Sequence, residues 1–126
     1  LVEYNNLPLN KRGYFELSEK TEDIGKFRTP SLRNIALTYP YMHDGSINCD
    51  LHLQGSIGTY SESCARNALG KVLEHYNSGG KTPSNKDSNF IKPLFLSSTE
   101  KEDLLNFLFS LTDTEFISNT KHSNPF

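Results

Sequence analysis

The sequence predicts a mainly α domain whose helices are joined by long loops, and three observations carry that expectation. Leu69, Val72, Leu73 and Tyr76 fall at i, i+3, i+4 and i+7, one face of a helix over about 65–77, and Gly79-Gly80 supplies its stop. Leu104, Phe107, Leu108 and Leu111 form a second buried stripe, with Ser98 or Thr99 as N-cap and Glu102 or Asp103 in the first turn. Thr29-Pro30 sets a capping hydroxyl before a proline at the first helical position, Leu32, Ile35 and Ala36 give that short helix an apolar side, and Tyr39-Pro40 ends it.

The remaining chain reads as connections. Residues 1–27 lack a sustained helical period; Asn5-Asn6, Pro8, Gly13 and Gly25 mark turns between short extended pieces such as Tyr14-Phe15-Glu16-Leu17. A turn-rich segment spans 44–62, a polar loop 81–89 and an apolar extended connector 90–96. Beyond Asp113 the tail is polar and is expected to fray. The domain organisation predicted is an irregular segment 1–28, a core 29–112 with a cysteine-bearing insert at about 46–66, and a tail 113–126.

Composition narrows the function classes. The 126 residues are one domain's worth, and 35% hydrophobic content plus 8 glycines stays below the ~45–50% apolar content of an average domain, so the core is thin or completed by something else. Thirteen Lys+Arg against fifteen Asp+Glu, without segregation, leave no footprint for nucleic acid or an anionic membrane, and no apolar run is long enough for a membrane span. Met42 is the sole methionine and the chain opens Leu1-Val2-Glu3, which reads as the later part of a longer product. Cys49 and Cys64 fit neither a CxxC pair nor a zinc site with paired thiolates. They form a disulfide or remain two idle thiols; a bridge stapling the polar insert is the preferred reading, and it implies an oxidising compartment.

Familiar catalytic patterns are missing. His43, His52, His75 and His122 show no HExxH spacing, no G-x-S-x-G elbow accompanies His43-Asp44, and Gly79-Gly80-Lys81-Thr82 follows a predicted helix where a phosphate loop must follow a strand.

The informative stretch is Phe27-Arg28-Thr29-Pro30-Ser31-Leu32-Arg33-Asn34-Ile35-Ala36-Leu37-Thr38-Tyr39-Pro40-Tyr41-Met42-His43-Asp44-Gly45-Ser46. It resembles the signature of the C-terminal haem domain of the bacterial di-haem cytochrome c peroxidases, a family that includes the di-haem enzymes maturing methylamine dehydrogenase. Further pieces match in order: Val72-Leu73-Glu74-His75-Tyr76-Asn77-Ser78-Gly79-Gly80, Ile91-Lys92-Pro93-Leu94, and the closing helix from Glu100 to Thr112. The resemblance implies a cytochrome c-like helical fold, haem c and calcium as cofactors, and a periplasmic location. It implies peroxide reduction, or oxidation of a partner substrate, by electrons relayed between two haems.

Carried over by residue, the resemblance puts the sixth axial ligand of the haem iron on Tyr76, with Met42 as the competing thioether. A thioether favours reduced iron and a high potential; a phenolate oxygen favours ferric or higher states. It puts calcium on the main-chain carbonyls of Thr38 and Pro40, hard oxygen donors suited to that ion. Pro30 and Arg33 fall near the cofactor, and Arg28 and His43 are the side chains assigned to catalysis, with arginine suited to bidentate pairing with propionates. Tyr39 and Tyr41 are expected to pack rather than carry electrons. The implied partners are an upstream haem-attachment segment with an N-terminal haem domain and an electron-donor cytochrome or cupredoxin; the family also allows a homodimer.

Two departures stand out. The sequence contains no Cys-x-x-Cys-His, the motif that attaches haem c and supplies its proximal histidine, and the insert before about Asn67 is longer than the family's usual connection. The missing motif motivates a rival reading, a haem-free interaction module that keeps the cytochrome scaffold.

Overall fold

A computed structural model describes residues 12–50, 60–80 and 91–122. Among these, four α-helices run as α1 (Phe15–Ser18), α2 (Glu62–Asn77), α3 (Ser98–Ser110) and α4 (Thr114–Ser118), with 3-10 turns at Thr21–Asp23, Ile35–Leu37 and Thr120–His122. Extended pairing among the described residues is confined to isolated bridges, Gly13 with Lys26 and Tyr41 with Ile47, so the domain is mainly α as expected.

The core lies where α2, α3 and the Ile35–Leu37 turn meet. Ala36, Leu69, Leu73, Leu105 and Leu108 fill it, and Tyr41, Cys49 and Cys64 belong to the same cluster. Cys49 and Cys64 are disulfide-bonded, which resolves the two cysteine readings in favour of the bridge. Arg66 locks the two long helices from outside: it pairs with Glu62 on its own helix and with Glu102 and Asn106 on α3, and its guanidinium lies 4.6 Å over the Phe109 ring.

Local chemistry explains where the elements differ from expectation. The helix expected to begin at Thr29-Pro30 does not form, and only Ile35–Leu37 is helical. Asn34 adopts a left-handed conformation (φ 59°), its N–H donating to the Leu111 carbonyl at 3.0 Å while its side-chain oxygen accepts from the Asp113 N–H at 2.6 Å. Those long-range bonds occupy groups a local helix would need. Tyr14-Phe15-Glu16-Leu17, expected to be extended, coils into α1, supported by the Arg12–Glu16 ion pair one helical turn apart. Helix α2 starts earlier than expected because the Ser61 hydroxyl accepts from the Cys64 N–H. The cap of α3 is Ser97 rather than Ser98 or Thr99, in a capping box with Glu100. Leu105 rather than Phe107 faces the core, leaving Phe107 53% exposed. The tail beyond Asp113 forms α4, capped by the Asp113 carboxylate at the Phe116 N–H.

Several carboxylates tie protonation to folding. The Ser97 hydroxyl and N–H hold Glu100 below its usual 4.5, Lys101 holds Glu74 below 4.5, and Lys26 with Ser18 holds Asp23 below 3.8. A pKa depressed by folding contributes stability above the unfolded value and loses it as pH falls through the folded one. The urea midpoint is therefore expected to fall as pH drops below these ordinary values, with Glu100→Gln showing a shallower decline. A wild-type midpoint unchanged from about pH 5 to about pH 3 would contradict this linkage.

Candidate functional site

Two structural features gather the residues that the family signature singled out. The first is a tight turn. Tyr41 and Ile47 exchange backbone hydrogen bonds (2.8 and 3.3 Å), closing a tip that carries Met42, His43 and Asp44. The Gly45 N–H donates to the Met42 carbonyl, and the Asp44 carboxylate accepts from the Ser46 N–H at 3.0 Å. Ser46 is also what holds the Asp44 carboxyl below its ordinary range. Met42 takes a positive φ of 72° and is half-buried, while His43 projects outward and is exposed.

His43 stacks on Phe27, ring centroids 4.0 Å apart and planes inclined by 17°. Because Phe27 immediately precedes Arg28, this stack brings two residues assigned to catalysis, fifteen positions apart in sequence, to one neighbourhood. Arg28, Pro30 and Arg33 are all exposed, and neither guanidinium forms a hydrogen bond or ion pair with any described residue. Sequence reasoning gave Phe27 no role; the signal was an aromatic next to a candidate arginine.

The second feature is the C-terminal end of α2. Gly79, with φ +83°, passes so close to Pro93 that a Cβ there would lie 2.7 Å from the proline Cδ. Leu94 and Leu96 then bond through their N–H groups to the carbonyl and side-chain oxygen of Asn77. The connector is thereby docked beside Tyr76, which is 41% exposed, meets His75 edge to face, and leaves its phenol without a hydrogen bond among the described residues. Thr38 and Pro40, on the exposed link between the 3-10 turn and the tip, have carbonyls that accept no hydrogen bond from described residues. Tyr41 is buried, donates to the Ile35 carbonyl at 2.8 Å, and burial pushes its phenol up to about 12; Tyr39 accepts from the Ser61 N–H. His52 lies outside the described residues, as does the His122 side chain, and no cluster of three metal-binding side chains occurs among those described.

No protein-family model matches the chain. Individual proteins do. The chain is 36% identical over 104 residues to the cytochrome-c peroxidase IdrP1 of Denitromonas iodatirespirans, a match spanning 82% of this chain and 22% of that protein. It is 36% identical over 101 residues to the methylamine utilization protein MauG of Methylorubrum extorquens, spanning 79% and 23%. The crystal structure of a MauG-like protein associated with microbial copper homeostasis shares its fold with a TM-score of 0.68 at 35% identity, over 94% of this chain and 34% of the other. The chain belongs, as a segment, to the di-haem cytochrome c peroxidase and MauG family. It spans about a fifth of the length of the curated relatives it matches.

Membership in the cytochrome c peroxidase and MauG family implies haem c. The residues present fit such a group in part. Phe27, Leu32, Tyr76, Leu94 and Phe95 are exposed, and the Arg28 and Arg33 guanidiniums and the Tyr76 phenol have no hydrogen-bond partner among the described residues; these are the side-chain types that would hold an apolar dianion. Covalent attachment cannot come from this segment, because its sequence has no Cys-x-x-Cys-His.

Proposed function

We propose that this segment is the C-terminal part of a periplasmic di-haem peroxidase-like oxidoreductase that reduces hydrogen peroxide, or oxidises a partner substrate, with electrons passed between two haems. The observation that carries the reading is the 36% identity to a cytochrome-c peroxidase over 82% of the chain. The buried Cys49–Cys64 bridge supports the compartment, since such bonds persist where the surroundings are oxidising. No described helix is long and apolar enough to cross a membrane.

When bound, haem supplies one-electron chemistry whose potential follows its axial ligand. The chain's own residues have distinct tasks. Tyr76 offers an oxygen donor from the end of a helix made rigid by its contact with the 91–96 connector. Met42 offers a softer thioether. Arg28 and Arg33 would bind and orient the carboxylates of such a group, with Pro30 lying between them in sequence. His43 stands at the tip of the 41–47 turn, stacked on the residue before Arg28, as the second side chain assigned to catalysis. The Thr38 and Pro40 carbonyls would be two of the oxygen donors of a calcium site. An electron-donor cytochrome or cupredoxin supplies the reducing equivalents.

The decisive test is the pyridine haemochrome spectrum of the full-length protein. A c-type signal together with peroxide-dependent oxidation of a reduced donor is expected, and its absence returns the segment to the haem-free module. In the loaded protein Tyr76→Phe should change the ferric absorption spectrum. Tyr76→Met should raise the midpoint potential by on the order of 100 mV, a small part of the ~0.8 V that axial ligands span. An unchanged ferric spectrum in Tyr76→Phe removes Tyr76 from the ligand set.

A further inference from the structure

We propose that Phe27 is a positioning residue: its ring fixes the plane of the His43 imidazole and holds that imidazole beside Arg28. The role rests on the peroxidase-like reading above, in which His43 is assigned to catalysis. The backbone of the 41–47 turn is closed by the Tyr41–Ile47 exchange, the Gly45 to Met42 bond and the Asp44 to Ser46 bond, so the direction in which His43 leaves the chain is set. The side-chain rotations are not set by those bonds. Among the described residues the imidazole makes no hydrogen bond that would orient it; the group it meets face to face is Phe27. A parallel aromatic contact fixes a ring plane without occupying either ring nitrogen, so the orientation is set while both nitrogens can still meet a bound molecule.

Phe27 is itself held from the other side. The Tyr14 N–H donates to the Lys26 carbonyl at 2.7 Å, and the Gly25 N–H donates to the Arg12 carbonyl at 3.0 Å, clamping the two ends of the 12–26 segment together. Gly13 sits in this clamp at φ +62°, and a Cβ there would collide with the Lys26 carbonyl. The N-terminal clamp thus delivers Phe27 to the tip of a turn formed some fifteen residues later. Phe27 remains 44% exposed and His43 is exposed, so the pair contributes little to the core and is presented outward on two braced segments. Rigidly held side chains on loops are the arrangement that binding and catalysis use.

The test uses the full-length protein carrying Phe27→Leu, Phe27→Tyr or His43→Gln, with three readouts: c-type haem content, kcat and KM for hydrogen peroxide, and the rate of diethyl pyrocarbonate modification at His43 followed by peptide mass. Phe27→Leu should keep its haem, lose about fivefold in kcat at unchanged KM, and let His43 react several times faster, about the effect of losing one aromatic stack. Phe27→Tyr, which keeps a stacking ring, should behave as wild type in both. Wild-type kcat and His43 reactivity in Phe27→Leu would overturn the proposal, as would wild-type kcat in His43→Gln or equal impairment in Phe27→Tyr. A protein without c-type haem would defeat the peroxidase-like reading alone, and His43 reactivity in the two Phe27 variants would still decide whether the stack sets the imidazole.

Discussion

Replacing Cys49 and Cys64 together with alanine is expected to lower the unfolding free energy by about 3 kcal/mol, the loop-closure value for a link across fifteen residues. The bridge joins the segment that follows the Met42–His43 turn to the first turn of α2. Polar contacts back it up: Asn67 and Asp50 bond reciprocally at 3.0 and 2.9 Å, and Lys71 reaches both the Asp50 carboxylate and the Asn48 carbonyl. These part-buried and exposed contacts are each worth a fraction of the covalent link. Both sulfurs are buried, so mild reductant should leave the native protein untouched, whereas reductant added with urea should shift the midpoint to that of the double variant. A loss below about 1 kcal/mol would mean that the polar contacts, rather than the bridge, hold the turn on α2. The consequence reaches the site, because this staple sets the turn bearing Met42 and His43 against the helix bearing Tyr76.

The two long helices were legible because their apolar residues recur at a period fixed by backbone geometry, and that period survives whatever surrounds them. Their exact faces were not. Leu105 replaced Phe107 in the core because the packing partner of α3 is set by α2 and the Ile35–Leu37 turn, contacts that no window of α3 contains. Likewise Thr29-Pro30 carries a sound local helix signal, yet Asn34 is claimed by Leu111 and Asp113, nearly eighty residues away. At the site, the candidate residues came from the Phe27 to Ser46 block and, for Tyr76, from the Val72 to Gly80 piece, but their neighbourhood did not. The Phe27–His43 stack depends on a clamp between Gly13 and Lys26 and a turn between Tyr41 and Ile47, each made by backbone bonds with little side-chain signature. The thin core read from composition has a physical counterpart: the described residues bury ten apolar side chains while Leu17, Phe95 and Phe107 stand in solvent.

That balance predicts a steep cost at Leu69. Its side chain is 1% exposed and stands in the core cluster with Ala36, Leu73, Leu105 and Leu108. Leu69→Ala is expected to cost about 3–4 kcal/mol, transfer and cavity terms together, read from urea denaturation. For a chain whose whole stability is on the order of 5 kcal/mol, the low end for small domains, that leaves a substantial unfolded fraction at ambient temperature. Phe107→Ala provides the contrast. Although Phe107 lies on the stripe that periodicity marked as buried, it is 53% exposed, and its truncation should cost less than about 1 kcal/mol in this segment. Repeating both substitutions in the full-length protein separates two sources of core. If, in the longer protein proposed above, polypeptide outside this segment covers the exposed apolar side chains, Phe107→Ala becomes markedly more costly there while Leu69→Ala changes little, since Leu69 already has its partners. An unchanged Phe107→Ala penalty would show that this face of α3 stays in water and that the segment's thin core is all the core it has.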